Sequence, residues 1–287
     1  MTDSMRIALI FHTAGRLTLL HEACVRAGHT PVALVHARSL RQGRPTSKTS
    51  AETIAAISEA LPPGSNLLLP GNVDGLAQAL AGYHPDLIVV YGFPWKLSRE
   101  VLRAARIGVM NIHPSLLPKY RGPLPVQWAV RNGDPEIGVT IHWMTDDFDT
   151  GNIIAQKGGI RIAEDPVPAV LWKEVDLLVE DLLDVALENA AAGAPGEPQS
   201  DVDATYAGWM EPDFMFIDWA RSAREIHNQV RAFRFNLFGL RGPFGKVRGK
   251  WMTVLRTRIE PAEGLRVECA DGPIWITEAI SAVPPDR

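Results

Sequence analysis

The chain reads as an α/β protein, a parallel sheet with helices on both faces, followed by a small β-barrel domain. Three observations predict this. Short apolar runs of strand length alternate with helical patterns through the N-terminal two-thirds. One of them, Leu87-Ile88-Val89-Val90-Tyr91, is apolar at every position, as a strand buried on both faces must be. Near Ala190 the character changes to a breaker-rich stretch, then one amphipathic helix and several short β-like runs split by glycines.

In order, Arg6 to Phe11 is an apolar strand, followed by a helical pattern from about Arg16 to Ala27 and a second strand over Pro31–His36. Helical stretches fall near Ala51–Ala60, Val73–Ala81 and Ser98–Ala104, with strands at Leu87–Tyr91 and Ile107–Ile112 between and after them. Val139–Met144 is a further strand-like run. Ala190 to Asp201 is small, polar and rich in breakers, a linker by composition. The expected domains are residues 1–190, a linker at 191–204, and 205–287. In the second, Ala220, Ala223, Ile226, Val230 and Phe233 recur at spacings of three and four, with Asp218 or Ser222 as the cap. Trp251–Leu255, Leu265–Cys269 and Pro273–Thr277 then supply the barrel strands.

Composition narrows the class. A chain of 287 residues, 46% hydrophobic, has ample material for a core. Its formal charge of −4 argues against wholesale polyanion binding. Two cysteines, Cys24 and Cys269, do not make a disulfide framework; they read as buried or half-buried thiols of a reducing cytoplasm. There is no signal-type N-terminus and no apolar run of about 18 residues, so a soluble cytoplasmic protein without a membrane partner is expected.

The chemistry concentrates in Asn111-Ile112-His113-Pro114-Ser115-Leu116-Leu117-Pro118-Lys119-Tyr120-Arg121-Gly122. In extended chain Asn111 and His113 project to the same side, at the carboxyl end of an apolar run where such sheets bind ligands. An amide can donate to an oxygen that is gaining charge; an imidazole can stabilise that oxygen or carry a proton. Asp149, in Asp146-Asp147-Phe148-Asp149-Thr150-Gly151, is the third group that an acyl transfer to an amine would use. Other chemistries lack their motifs. No G-x-G-x-x-G follows the first strand, where the sequence is Phe11-His12-Thr13-Ala14-Gly15-Arg16, and there is no phosphate-loop lysine. H-E-x-x-H and paired C-x-x-C are absent, so no metal is expected. G-x-S-x-G is absent as well, which makes Ser115 a loop hydroxyl rather than a nucleophile.

The N-x-H-x-S-L-L-P-x-x-x-G stretch, together with Gly138-Val139-Thr140-Ile141-His142-Trp143-Met144-Thr145 and the Asp-x-Gly loop, resembles the folate-dependent formyltransferases, a family that acts on glycinamide ribonucleotide, methionyl-tRNA and amino sugars. The resemblance is strongest over Tyr91–Gly151 and good over Thr205–Phe233. Phe148 departs from the aliphatic residue usual before that Asp. The resemblance implies a Rossmann-like catalytic domain and an OB-like C-terminal domain, with 10-formyltetrahydrofolate as donor and no metal. It implies catalysis by Asn111, His113 and Asp149. It also implies a pterin pocket formed by Tyr91, Gly92, Phe93, Pro94, Trp95, Thr145, Asp146, Asp147 and Phe148, and acceptor contacts from Ser115, Tyr120, Arg121 and Gly122. Asp149 is chosen over Asp146 and Asp147 because it alone holds the Asp-x-Gly position.

The acceptor is expected to be the amine of a small molecule, an amino-sugar nucleotide or natural-product precursor, with initiator methionyl-tRNA as the alternative. A catalytically silent folate- or RNA-binding module is the third reading, disfavoured by retention of all three polar positions. Where methionyl-tRNA enzymes follow Arg-Ala-Phe with Pro-Trp-Pro-Gly, this chain has Arg231-Ala232-Phe233-Arg234-Phe235-Asn236-Leu237-Phe238-Gly239. Against that, the loop at His36–Lys48 carries Arg38, Arg41, Arg44 and Lys48 and no carboxylate, where the tRNA enzymes place a basic loop. From Thr205 on, 12 Lys/Arg against 10 Asp/Glu leave a net of +2, hardly a nucleic-acid footprint. His142 reads as a sheet-face histidine. Trp172, Trp209, Trp219, Trp251 and Trp275 read as core or interface anchors.

Overall fold

The computed structural model describes residues 4–284. The chain divides into two compact units. One comprises the residues up to Lys119, Gly138–Gly158 and Val175–Ala204; the other comprises Tyr120–Ile137, Gly159–Glu174 and the residues from Thr205 on.

The elements run β1 (Arg6–Phe11), α1 (Ala14–Arg26), β2 (Thr30–Val35), α2 (Lys48–Glu59), β3 (Leu67–Leu68), α3 (Val73–Tyr83), β4 (Leu87–Tyr91), α4 (Arg99–Leu102) and β5 (Gly108–His113). They continue with α5 (Pro125–Asn132), β6 (Glu136–Trp143), β7 (Ile153–Arg161) and α6 (Pro168–Ala191). The strands form one seven-stranded sheet in the order β3-β2-β1-β4-β5-β6-β7. β1 to β5 pair in parallel, and β6 turns antiparallel against β5. The order reverses between β1 and β4, so the crevice at their carboxyl ends is where such a sheet takes a ligand.

The expected strands and helices are present with ends moved by a few residues, and the helix starts move to where capping side chains sit. Thr13 accepts from the Arg16 amide at 3.3 Å, Ser47 from Ser50 at 3.1 Å and Asn72 from Gly75 at 2.7 Å. Ala8, Ile10, Ile88 and Val90 are buried in one cluster with Val35, Leu76, Leu80 and Val101, while Ile7, Leu9, Leu87 and Val89, alternating to the opposite face, are also fully buried, which explains why β1 and β4 are apolar on both faces.

The elements β3, α5, β7, α6 and a strand β8 (Phe244–Val247) go beyond the sequence reading. α5 is short and opens on Pro125, β7 carries Gly158 and Gly159, and β8 is four residues with a glycine inside. α6 did carry a signal. Leu171, Val175, Leu178, Leu182 and Ala186 recur at helical spacing and are buried. Residues 191–204 follow it within the first unit, where Ile153 and Glu197 exchange two backbone hydrogen bonds of 2.8 Å.

In the second unit, α7 (Ala223–Phe233) packs on β8, β9 (Lys250–Arg258), β10 (Leu265–Cys269) and β11 (Gly272–Ser281), an antiparallel half-barrel in the order β10-β11-β9-β8. Its cap is Ser222, not Asp218. Ser222 and Glu225 form a reciprocal capping box, while Asp218 accepts from the Ala220 amide at 3.0 Å. Ile217, Ala223, Ile226 and Val230 close over Val247, Val254, Ile274 and Ile276. One expected anchor is overturned: Trp209 is 77% exposed. Beside it, Trp128 is half-buried, and its indole N–H donates to the Gly208 carbonyl at 2.8 Å.

Candidate active site

The register of β5 on β6 builds the site. Asn111 lies directly opposite His142, and His113 opposite Thr140. Thr140 is fully buried and ties down the loop leaving β5. Its hydroxyl donates to the Ser115 carbonyl at 2.7 Å and accepts from the Leu117 amide at 3.1 Å and from Gln156 at 2.7 Å. Gln156 also donates to the Leu117 carbonyl at 2.9 Å. Ser115 donates its hydroxyl to the Lys119 carbonyl at 2.7 Å, closing the turn that contains the cis Leu117–Pro118 bond.

The loop from Met144 to Asn152 brings the carboxylate back. Trp143 donates to the Asn152 carbonyl at 2.9 Å, and the Thr145 and Thr150 hydroxyls meet at 2.9 Å. Asp149 is in the left-handed region with φ 54°, an uncommon conformation that Asp tolerates better than most residues. The glycine after Thr150 follows from crowding, since any side chain on Gly151 would run into the Trp143 carbonyl. Gln199, reaching from the 191–204 segment, donates to the carbonyls of Asp149 and Gly151 at 2.8 Å each.

Asn111, His113, His142 and Asp149 therefore meet. The Asp149 side chain is 10% exposed, that of His113 6% and that of His142 1%. Asp149 Oδ2 is 3.7 Å from His113 Nδ1, an electrostatic contact longer than a hydrogen bond. Asn111 Nδ2 donates to Asp149 Oδ1 at 3.3 Å. His142 Nε2 lies 3.3 Å from the same oxygen, and its ring stands edge-on to that of His113, centroids 6.3 Å apart. His142 is thus buried on the sheet as the sequence suggested, but it is also a fourth polar member of the cluster. Its position opposite Asn111 depends on a strand pairing that no local pattern in the sequence displays.

The other expected site residues are placed as follows. Tyr91 is buried under the Arg16 guanidinium, 3.9 Å from its ring centroid, and its hydroxyl donates to Asp176 at 2.6 Å; burial holds that phenol protonated. Gly92 has φ 81°, and a side chain there would strike Arg16 and His12. Phe93 meets Trp95 edge-on at 5.1 Å, Pro94 is exposed, and Trp95 sits in the apolar core with its indole N–H buried and without a partner. Across the Thr145–Phe148 stretch all side chains are exposed; Asp146 pairs with Arg99 at 2.8 Å, and Lys96 stands 5.0 Å over the Phe148 ring. Apolar ring faces and an unpartnered buried N–H suit a flat heterocycle such as a pterin.

Tyr120, Arg121 and Gly122 belong to the second unit. Tyr120 has φ 60°; its hydroxyl donates to Asp134 at 2.8 Å and accepts from Asn132 at 2.9 Å, and burial raises it to about 12. Arg121 pairs with Tyr206 through the backbone, and the Tyr206 ring fills the space beside Gly122. Cys24 is buried, which pushes its thiol up to about 12, while Cys269 is half-buried; neither is in a disulfide.

The carboxyl end of a Rossmann-like sheet thus gathers an amide, two imidazoles and a carboxylate, groups able to move a proton and to stabilise developing charge. The formyl transferase family model matches residues 5–170, and the chain belongs to that family. It is 33% identical over 93% of its length to the methionyl-tRNA formyltransferase of Anaeromyxobacter dehalogenans, covering 89% of that protein. Among solved structures it resembles HypX from Aquifex aeolicus in complex with tetrahydrofolic acid, with a TM-score of 0.64 and 21% identity over 97% of this chain. It spans under half of that protein, 44% of its length. It also resembles an N-formyltransferase from Helicobacter canadensis in complex with folinic acid and dTDP-3-aminofucose, with a TM-score of 0.67 and 16% identity over 96% of this chain and 100% of that one. Among the described residues, no group of three or more His, Cys, Asp or Glu is placed to hold a metal ion, and no helix is long and apolar enough to cross a membrane.

Proposed function

We propose that the chain transfers the formyl group of 10-formyltetrahydrofolate to the primary amine of a small acceptor, with Asn111, His113 and Asp149 as its catalytic residues. The observation that carries this reading is the meeting of those three side chains at the carboxyl end of β5, in a setting sheltered from water. The bound folate supplies an electrophilic formyl carbon. Asp149 takes the proton that the attacking amine must lose, His113 stabilises the oxygen that gains charge, and Asn111 donates to that same oxygen. Phe93, Trp95 and the Thr145–Phe148 stretch hold the pterin; Ser115, Tyr120, Arg121 and Gly122 shape the acceptor side. The first unit, with its sheet, carries the chemistry, and the free cysteines suit a cytoplasmic setting.

A small acceptor is supported by the absence of the Pro-Trp-Pro-Gly turn after Phe233 and by the likeness to an enzyme solved with an amino-sugar nucleotide. A second reading, initiator methionyl-tRNA as acceptor, is favoured by the identity to the Anaeromyxobacter enzyme and by the exposed cations Arg41, Arg44 and Lys48. Incubation with 10-formyltetrahydrofolate and either charged initiator tRNA or a panel of amines, following tetrahydrofolate release, tests both. Release with amines supports the first and release with tRNA alone the second. Release with neither sinks the enzymatic reading.

A further inference from the structure

Three atoms form a triangle at the centre of the site. Asn111 Nδ2, His142 Nε2 and Asp149 Oδ1 are each 3.3 Å from the other two. The protonation of His142 within it is constrained from the other side of the ring. His142 Nδ1 lies 2.9 Å from the Trp143 carbonyl, an oxygen that can only accept, so Nδ1 carries hydrogen. Nε2 is therefore where this imidazole gains or loses a proton. The titratable groups facing it are Asp149 from the loop and His113 from β5.

The two states of Nε2 impose different arrangements on Asn111. Without a proton, Nε2 accepts one Asn111 N–H while Asp149 accepts the other, and both amide hydrogens point inward. With a proton, Nε2 donates to Asp149 Oδ1 and can no longer accept from the amide. We propose that His142 is a positioning residue that exchanges with Asn111 as hydrogen-bond donor to Asp149, releasing the Asn111 amide toward the formyl oxygen. Its catalytic consequence rests on the formyl-transfer reading above. The proton is the one that Asp149 removes from the amine. The amine N–H bond breaks, the Nε2–H bond forms, Asp149 is left as carboxylate, and the proton passes on to the departing nitrogen as its bond to the formyl carbon breaks. Burial of the His142 side chain to 1% exposure keeps solvent from taking over either role.

Imidazole nitrogen NMR on the full chain tests the triangle without any turnover. Neutral His142 is expected as the Nδ1–H form. The pH at which Nε2 takes up its proton is expected to fall in Asp149→Asn, which removes a carboxylate that favours the cation, and to rise in Asn111→Ala, which removes a donor to the neutral form. An Nε2–H form, or a midpoint that neither substitution moves, overturns the proposal. Kinetics adds a readout that a structural role would not give. His142→Gln keeps a donor toward Asp149 but has no proton to exchange. It should lower kcat by about tenfold or more, leave KM for the folate within about twofold and erase one ionisation from the pH profile of kcat. An unchanged pH profile of kcat overturns the proposal as well. If the wild-type protein transfers formyl to no acceptor, the functional reading fails while the NMR titrations still decide this one.

Discussion

Gln199 Nε2 lies 2.8 Å from the backbone carbonyl of Asp149, and the same nitrogen lies 2.8 Å from that of Gly151. One side chain from the breaker-rich 191–204 segment thus braces the turn that presents the Asp149 carboxylate, and it braces it where Asp149 holds an uncommon left-handed φ.

That brace gives the first prediction. Gln199→Ala should destabilise the protein by about 1–2 kcal/mol, because it leaves carbonyls of the turn without their donor. It should lower kcat by about tenfold through a loosened Asp149, since small misplacements of reacting groups are costly. Folate affinity should change far less. Turnover at the wild-type level in a variant whose Tm has fallen would confine Gln199 to stability.

The second prediction concerns the cluster itself. Asn111→Ala, losing one donor to the developing oxyanion, should cost about 10²–10³ in kcat. His113→Ala and Asp149→Ala should be at least as damaging, and the double variant little worse than the poorer single one, because the groups act on one event. Steady-state kinetics paired with folate binding checks this. Near-normal turnover in His113→Ala would remove that residue from the assignment.

How far the sequence reaches can be judged from particular residues. Arg6–Phe11, Leu87–Tyr91 and the run into Asn111 were legible because a strand buried on both faces is apolar throughout. That Asn111, His113 and Asp149 come together was legible because their spacing resembles a family signature. His142 and Gln199 were not seen as parts of the cluster. Both reach it through non-local geometry, His142 by an antiparallel register formed after an intervening helix, and Gln199 by a return of the chain past α6. Composition made 191–204 look like a linker, since glycine and proline mark irregular backbone whether it swings free or packs. Trp209 failed for the converse reason: aromatic size favours burial on average but does not decide it for any one side chain.

The third prediction is a pH dependence of stability carried by His227. Burial lowers it to about 4, with the Arg231 and Arg224 cations acting in the same direction, against the opposing pull of Glu164, whose Oε1 is 3.2 Å from Nε2. Its Nδ1 is paired with the Thr257 hydroxyl at 2.8 Å. Between about pH 4 and the unfolded value near 6.5, the unfolded chain holds a proton at this site that the folded one does not. Stability from this group is therefore complete above about 6.5 and is lost as pH falls toward 4. Denaturant melts of wild type and His227→Gln across that window should show a shallower acid slope in the variant. Equal slopes would mean that His227 is charged in the fold.

The fourth prediction separates the acceptors. Arg41, Arg44 and Lys48 are exposed, but the loop that carries them is anchored. The Gly43 amide donates to the Gly71 carbonyl at 2.9 Å, Gln42 accepts from the Val73 amide at 3.0 Å, and Lys48 opens α2 behind the Ser47 cap. Anchored, exposed cations can track a phosphate backbone, Lys48 by giving up its 3.9 Å pairing with Glu52, and neutralising all three would remove up to three contacts. For a tRNA acceptor, affinity should fall and the slope of log affinity against log salt should flatten by about 0.7–0.9 per lost contact. For a small amine held beside Asn111, the triple variant should keep its kcat and KM at every salt concentration, because no acceptor phosphate lies along the loop. Formylation of initiator tRNA that disappears in the triple variant and returns at low salt would replace the small acceptor with tRNA. The reaction is formyl transfer to an amine in either case, so the behaviour predicted for the proposed triangle of Asn111, His142 and Asp149 stays the same.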